Sequence, residues 1–110
     1  MLTNESLVLK ENPSLCDFQH YVDQLVQVRG WQDQKVPEVF MLFLEECGEL
    51  AKAARKKINM TTDINSEQHN VDLEAADVFI YLLDLCNRLE IDLEKAFRKK
   101  EEINKKRIWS

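Results

Sequence analysis

The sequence predicts an all-α protein. Glycine and proline are scarce, with two of each in 110 residues, and this scarcity favours long helices over a turn-rich sheet. Apolar residues recur every three or four positions in several stretches, which is the spacing of amphipathic helices. The length suits one domain. We therefore expect a bundle of four to five helices that is completed by dimerisation.

The first two elements follow from local signals. Residues 1–12 are polar and mixed, so we expect them to be flexible, with the folded domain spanning residues 13–110. Ser14 and Asp17 have a spacing like that of a capping box, which predicts the start of the first helix. Gly30 suits the stop at its carboxyl end.

Three further helices are expected. The second begins near Pro37, a residue that fits the first turn of a helix, and runs to about Lys57. The segment 58–71 loses the helical period and is interpreted as a connection with one short helical turn at most. The third helix spans about 72–89, and Asp92 caps the fourth.

The third predicted helix is apolar around nearly its whole circumference. Its apolar residues are Val78, Phe79, Ile80, Tyr81, Leu82, Leu83, Leu85 and Cys86. A helix of this kind is buried on all sides, and four helices in a small chain can hardly bury it completely. We therefore expect a homodimer or homotetramer. The alternative is a well-sheltered central helix within a monomer.

Composition excludes several classes of function. The net charge is −5, from 20 acidic and 15 basic residues, and no long basic run occurs, which argues against binding nucleic acid or an anionic membrane. No stretch approaches the roughly 20 apolar residues of a membrane-spanning helix. The amino terminus lacks a signal-peptide pattern, so we expect a cytoplasmic protein. Three cysteines without a CxxC motif argue against a disulfide framework or zinc site.

Five carboxylates are the most informative residues: Glu45, Glu46, Glu49, Glu74 and Asp77. On a helix, Glu46 and Glu49 lie about 60° apart, and so do Glu74 and Asp77, so each pair shares one face. Like charges at this spacing destabilise an isolated helix by roughly 0.2–0.5 kcal/mol per pair. A hard divalent cation with oxygen ligands would compensate them. The alternative is a solvated acidic face paired with nearby lysines and arginines.

The order of the two acidic motifs, EExxE and then ExxD on the next long helix, resembles that of the MazG-like all-α nucleoside triphosphate pyrophosphohydrolases. The resemblance covers roughly residues 15–109. The surrounding residues that agree with the family are Trp31 in an RGW loop, Tyr81 four positions after Asp77, and the tail Lys100-x-x-x-Asn104-x-x-Arg107-x-Trp109.

The resemblance implies a chemistry and a set of site residues. The reaction would be Mg²⁺-dependent hydrolysis of (deoxy)nucleoside triphosphates to the monophosphate and pyrophosphate, with Mn²⁺ able to replace Mg²⁺, in the housecleaning of nucleotide pools. The implied metal ligands are Glu46, Glu49, Glu74 and Asp77. The implied catalytic residues are Glu45, Glu46 and Glu49, of which Glu45 would bind or orient water. The implied substrate contacts are Trp31, Tyr81, Lys100, Asn104 and Arg107.

Several alternatives remain at this point. Trp31 fits the role of a loop anchor as well as that of a base-stacking ring. Lys52, Arg55 and Lys56 could contact phosphate oxygens, although exposed cations on an amphipathic helix are the simpler interpretation. Residues 53–57 lack the base-stacking aromatic of vertebrate dCTP-preferring relatives, so the base stays open among dCTP, dUTP, dATP and damaged nucleotides.

Two other functions compete with this interpretation. One is a phosphoribosyl-ATP pyrophosphatase, although the RGW loop and the basic tail favour the MazG-like branch. The other belongs to a different class, a non-catalytic helical dimerisation or adaptor module in which the acidic residues are incidental.

Overall fold

The computed structural model describes residues 2–58 and 70–108. Within these ranges the chain forms helices and no strand, which confirms the all-α prediction. A short 3-10 helix at Asn4–Ser6 precedes four α-helices, which are α1 (Leu15–Val28), α2 (Val36–Lys57), α3 (Val71–Arg88) and α4 (Leu93–Lys105). In the described part of the chain, no helix combines the length and apolar character needed to cross a bilayer. Most of the predicted connection and Trp109 lie outside the described residues.

The helix ends form where the local signals predict them. The Ser14 hydroxyl accepts a hydrogen bond from the Asp17 amide at 3.1 Å, and the Asp17 carboxylate accepts one from the Ser14 amide at 2.8 Å. This reciprocal pair is the predicted capping box of α1. Gly30 has a φ of 73°, a left-handed conformation that glycine adopts without steric cost. The Asp92 side chain caps α4 by accepting from the Lys95 amide at 3.1 Å.

The chain divides into two compact units. The first comprises Met1–Asp33 and Cys86–Ser110, and in it α1 packs against α4. Its buried apolar side chains belong mainly to α1, with Leu25 only 1% exposed. The amide side chain of Gln19 is buried with them, and it is hydrogen-bonded to Asn87 near the end of α3 and to Ile91 and Leu93 in the segment that leads into α4.

The second unit comprises Gln34–Leu85, which includes α2 and most of α3. Its core contains Val39 and Leu83, both 0% exposed, and Ala53 at 1%. The eight apolar residues singled out on α3 are all buried or half-buried. This burial agrees with the prediction for α3. That a second subunit covers the rest of the helix stays a prediction.

Candidate metal centre

The second unit brings three acidic side chains together. One carboxylate oxygen each from Glu46 on α2 and from Glu74 and Asp77 on α3 lie within 4.8 Å of one another. Glu46 and Glu74 are half-buried, and Asp77 is exposed. Three of the four predicted metal ligands therefore converge. Their role as ligands stays a prediction, as does that of Glu49.

The position of Glu46 follows from the periodicity of α2. Among the buried and half-buried residues of this helix, one series recurs at intervals of three and four, at positions 39, 42, 46, 49, 53 and 56, and a second series lies beside it at positions 43, 47, 50 and 54. Such intervals place side chains on one face. The face begins with Val39 in the core, so the packing that buries Val39 also turns Glu46 and Glu49 inward.

The charges of the other four predicted carboxylates affect the ionisation of Glu46. Burial raises the pKa of Glu46 above its ordinary value, and the negative charges of its four neighbours raise that pKa further; in order of effect these are Asp77, Glu74, Glu45 and Glu49. Both causes disfavour the charged form of the side chain. A cation beside Glu46 would reverse this effect by favouring the carboxylate.

The donor set fits a hard divalent cation. Mg²⁺ binds oxygen ligands at about 2.0–2.1 Å in octahedral geometry, so oxygens on one ion lie roughly 3–4 Å apart. The three oxygens, within 4.8 Å of one another, need only small side-chain rotations to reach that spacing. Mg²⁺ usually keeps several waters, and three carboxylates leave room for water and phosphate. The chemistry of the cluster therefore suits a divalent metal.

Tyr81 lies one turn after Asp77 on α3 and is half-buried. Burial raises the pKa of its phenol above the ordinary value, and the charges of Glu46, Asp77, Asp84 and Glu45 raise that pKa further. The hydroxyl consequently keeps its proton at neutral pH and can donate a hydrogen bond. Its predicted contact with substrate is untested.

Trp31 belongs to the first unit and is half-buried. The Trp31 amide donates to the Val26 carbonyl at 2.8 Å, and the Trp31 carbonyl accepts from the Arg88 guanidinium at 2.8 Å. The Arg29 guanidinium lies 5.5 Å from its ring centroid, within the range of a cation–π contact. These contacts fit the role of a loop anchor, and base stacking by Trp31 stays a prediction.

The predicted contacts from the tail also belong to the first unit. Lys100 and Asn104 lie on α4, and Arg107 lies just beyond its carboxyl end. Lys100 and Arg107 are exposed, whereas Asn104 is half-buried. Their part in binding substrate stays a prediction.

In the second unit, sequence reasoning missed one charged residue, Asp84, and favoured the wrong environment for another, Lys56. Asp84 is only 3% exposed and lies three residues after Tyr81, on the same face of α3. Lys56 is half-buried, and its Nζ is inaccessible to solvent, so the expectation of an exposed cation is wrong at this position. The spacing of seven residues from Asp77 to Asp84 and from Glu49 to Lys56 was the available signal.

Residues 34–108 match the family described as the MazG nucleotide pyrophosphohydrolase domain. The chain belongs to the MazG family. The match includes α2, α3 and α4, and with them all five carboxylates. It confirms the MazG resemblance that the two acidic motifs carry.

The MazG chain is also similar to a dATP/dGTP diphosphohydrolase of Cyanophage S-2L. The two sequences are 39% identical over 67 residues, which cover 61% of this chain and 51% of the relative. The chain thus spans about half the length of the curated relative that it matches.

Proposed function

We propose that this protein hydrolyses (deoxy)nucleoside triphosphates to the monophosphate and pyrophosphate, with Mg²⁺ held by Glu46, Glu74 and Asp77. The proposal is carried by the approach of three carboxylate oxygens to within 4.8 Å at the positions of the two acidic motifs. Membership of the MazG family and the activity for which the cyanophage relative is named support it.

The charges of the site account for the need for a metal. A nucleoside triphosphate is a polyanion, so five carboxylates alone would repel it. Mg²⁺, when bound, supplies positive charge for the phosphate oxygens and makes water more acidic. Half-burial of Glu46 and Glu74 strengthens their hold on a cation, because charges attract more strongly away from bulk water.

The remaining carboxylates suit proton transfer. In the proposed reaction a water oxygen bonds to the α-phosphorus, and the bond from that phosphorus to the bridging oxygen of the β-phosphate breaks, releasing pyrophosphate. Glu45 or Glu49 orients the water and accepts its proton. In the bound state the Tyr81 hydroxyl would donate a hydrogen bond to the sugar.

The substrate we propose first is a purine deoxynucleotide. The cyanophage relative is named for dATP and dGTP, and its sequence is 39% identical to this chain over the 67 aligned residues. Removal of such triphosphates would place the protein in the control of nucleotide pools. Pyrimidine and damaged nucleotides remain in the panel that tests this preference.

We also propose that two copies pair through α2. Phe40, Met41 and Leu44 are 42%, 72% and 63% exposed, far more than large apolar side chains in a packed core. A Cβ added at Gly48 would meet nothing within 4 Å, so the same face stays open further along. Positions 41, 44, 48 and 51 alternate intervals of three and four, the spacing of a seam between paired helices.

The test is pyrophosphate release from dATP, dGTP, dCTP, dUTP and phosphoribosyl-ATP, in Mg²⁺ and in EDTA. We expect equal amounts of monophosphate and pyrophosphate in Mg²⁺ and none in EDTA. Cleavage of phosphoribosyl-ATP alone would assign the competing activity. An adaptor module would show no hydrolysis and no rise in melting temperature with Mg²⁺.

A further inference from the structure

The inward face of α2 changes its chemistry along the helix. It starts with apolar Val39, continues with the carboxylates Glu46 and Glu49, passes the small Ala53, and ends at Lys56. Ala53 is 1% exposed, so this face is still covered one turn before the lysine. The face thus carries a cation as well as anions.

Lys56 has an unusual environment for a lysine. Its Nζ is inaccessible to solvent and has no hydrogen-bond partner within the described part of the chain. An ammonium has three donors and is rarely buried without a partner. Leaving it so is unfavourable, because burial removes the water that would otherwise solvate the charge. The position therefore suits an anion or a strong acceptor that the described residues do not supply.

The placement of Lys56 relative to the metal cluster suits a triphosphate. Its Cα lies about 10 Å further along α2 than that of Glu49, on nearly the same side of the helix. Side chains on a helix lean towards its amino terminus, so the lysine leans back towards Glu49. A polyphosphate bound at the carboxylate cluster would extend along this face.

We propose that Lys56 is a substrate-binding residue whose ammonium contacts oxygens of the β- and γ-phosphates, the part that leaves as pyrophosphate. This inference rests on the proposed function. Phosphate oxygens supply the hydrogen-bond acceptors that the described residues do not offer to this ammonium, and charge-assisted hydrogen bonds of this kind are the strong ones. The contact does not involve the base, so its effect is the same for all triphosphates.

A purely structural role predicts the opposite effect on stability. If Lys56 held the fold together, its removal would lower the melting temperature. A buried ammonium without a partner instead destabilises the metal-free, substrate-free protein. Lys56→Met keeps much of the side-chain length and removes the charge, so we expect an unchanged or higher melting temperature.

The experiment compares Lys56→Met with Lys57→Met, since Lys57 is the exposed neighbour in the same helical turn. Steady-state kinetics are measured with dATP and dGTP in saturating Mg²⁺, and Mg²⁺-pyrophosphate is tested as a product inhibitor. We expect Lys56→Met to lower kcat/KM at least about tenfold for both substrates and to weaken inhibition similarly. Lys57→Met should match the wild type, and the Mg²⁺-induced rise in melting temperature should persist in both variants.

The outcomes separate the two proposals. A wild type that cleaves no triphosphate overturns the proposed function. In that case the binding of Mg²⁺-pyrophosphate is measured directly, and its comparison between the two variants still tests the role of Lys56. An active wild type with equal kinetics in both variants overturns the inference and leaves the function intact. A loss confined to one base, or accompanied by a lower melting temperature, also overturns it.

Discussion

At the scale of single residues, Glu46 is the centre of the acidic site. It is half-buried, it contributes an oxygen to the three-carboxylate cluster, and its pKa is raised by burial and then by four other carboxylates. A side chain in that position is unfavourable for the metal-free fold and favourable for binding a cation. We therefore expect the Glu46 charge to favour activity and to lower the stability of the metal-free protein, and a substitution that removes the charge can distinguish these two effects.

Glu46→Gln keeps the shape of the side chain and removes its charge. We expect pyrophosphate release to fall by at least about 100-fold, the scale of losing one group that takes part in the reaction. The metal-free melting temperature should stay the same or rise, because the repulsion from the neighbouring carboxylates disappears. Activity assays and thermal unfolding in EDTA measure the two effects.

The matched control is Glu11→Gln, which removes the same charge at an exposed position in the amino-terminal segment. It should leave hydrolysis unchanged. If Glu46→Gln kept wild-type activity, Glu46 would have no part in the site.

At the scale of the elements, polar side chains fix the ends of the helices in the first unit. Gln19 is 8% exposed, and its Nε2 donates to the Asn87 side chain at 3.0 Å and to the Ile91 carbonyl at 2.8 Å. Its Oε1 accepts from the Leu93 amide at 2.9 Å, at the start of α4. One buried amide thus ties α1 to the turn between α3 and α4.

Gln19→Met removes these hydrogen bonds while conserving much of the side-chain volume. We expect a loss of about 2–4 kcal/mol in the free energy of unfolding, because a buried amide and carbonyl lose their partners. Urea denaturation followed by circular dichroism measures it. Gln27→Met, at an exposed position on the same helix, should change stability by less than about 0.5 kcal/mol. Equal stabilities of the two variants would contradict the structural role of Gln19.

The cap of α1 predicts a dependence on pH. Hydrogen bonds from the Ser14 amide, the Ser14 hydroxyl and the Lys10 ammonium, in that order of effect, lower the pKa of Asp17 below its ordinary value of 3.8. A lowered pKa in the folded state means that the stabilisation is present above pH 3.8 and disappears as the pH falls through the lowered value. Asp17→Asn should therefore lower the melting temperature at neutral pH and match the wild type in strong acid.

Thermal unfolding of both proteins between neutral and strongly acidic pH measures this difference. Asp33→Asn, at an exposed loop position, serves as the charge-matched control and should follow the wild type throughout. A constant difference between Asp17→Asn and the wild type at every pH would show that the carboxylate charge is not the cause.

At the scale of the whole molecule, an exposed apolar surface on α2 is the basis for proposing a dimer. Replacing Met41 and Leu44 together with glutamate places charges on this surface, and we expect the protein to become monomeric, because a charged seam cannot be buried without a partner. Size-exclusion chromatography with light scattering measures the mass. Both side chains are exposed, so the helical content should not change.

Phe97→Glu provides the comparison for this experiment, since Phe97 is 67% exposed on α4 in the first unit. It should leave the oligomeric state of the wild type unchanged. A wild type that is already monomeric at micromolar concentration would overturn the proposed pairing.

Much of the fold and part of the site were predictable because their causes are local in sequence. A capping box joins residues three apart, as at Ser14 and Asp17. Helical period is set by hydrogen bonds between residues four apart. The same period places Glu46 beside Glu49 and Glu74 beside Asp77. Composition and spacing therefore determined the all-α class, the helix ends and the acidic pairs.

Only the tertiary structure decided which of these side chains meet and which are buried. The approach of Glu46 to Glu74 and Asp77 joins two helices that are separated by the connection, and sequence spacing does not fix such a distance. The hydrogen bonds of Gln19 likewise depend on residues that are about 70 positions away in the chain, and the inaccessible Nζ of Lys56 is not evident from its position on α2. The burial of a residue depends on all the side chains that pack around it in the folded protein, and for that reason the sequence pattern alone does not determine it.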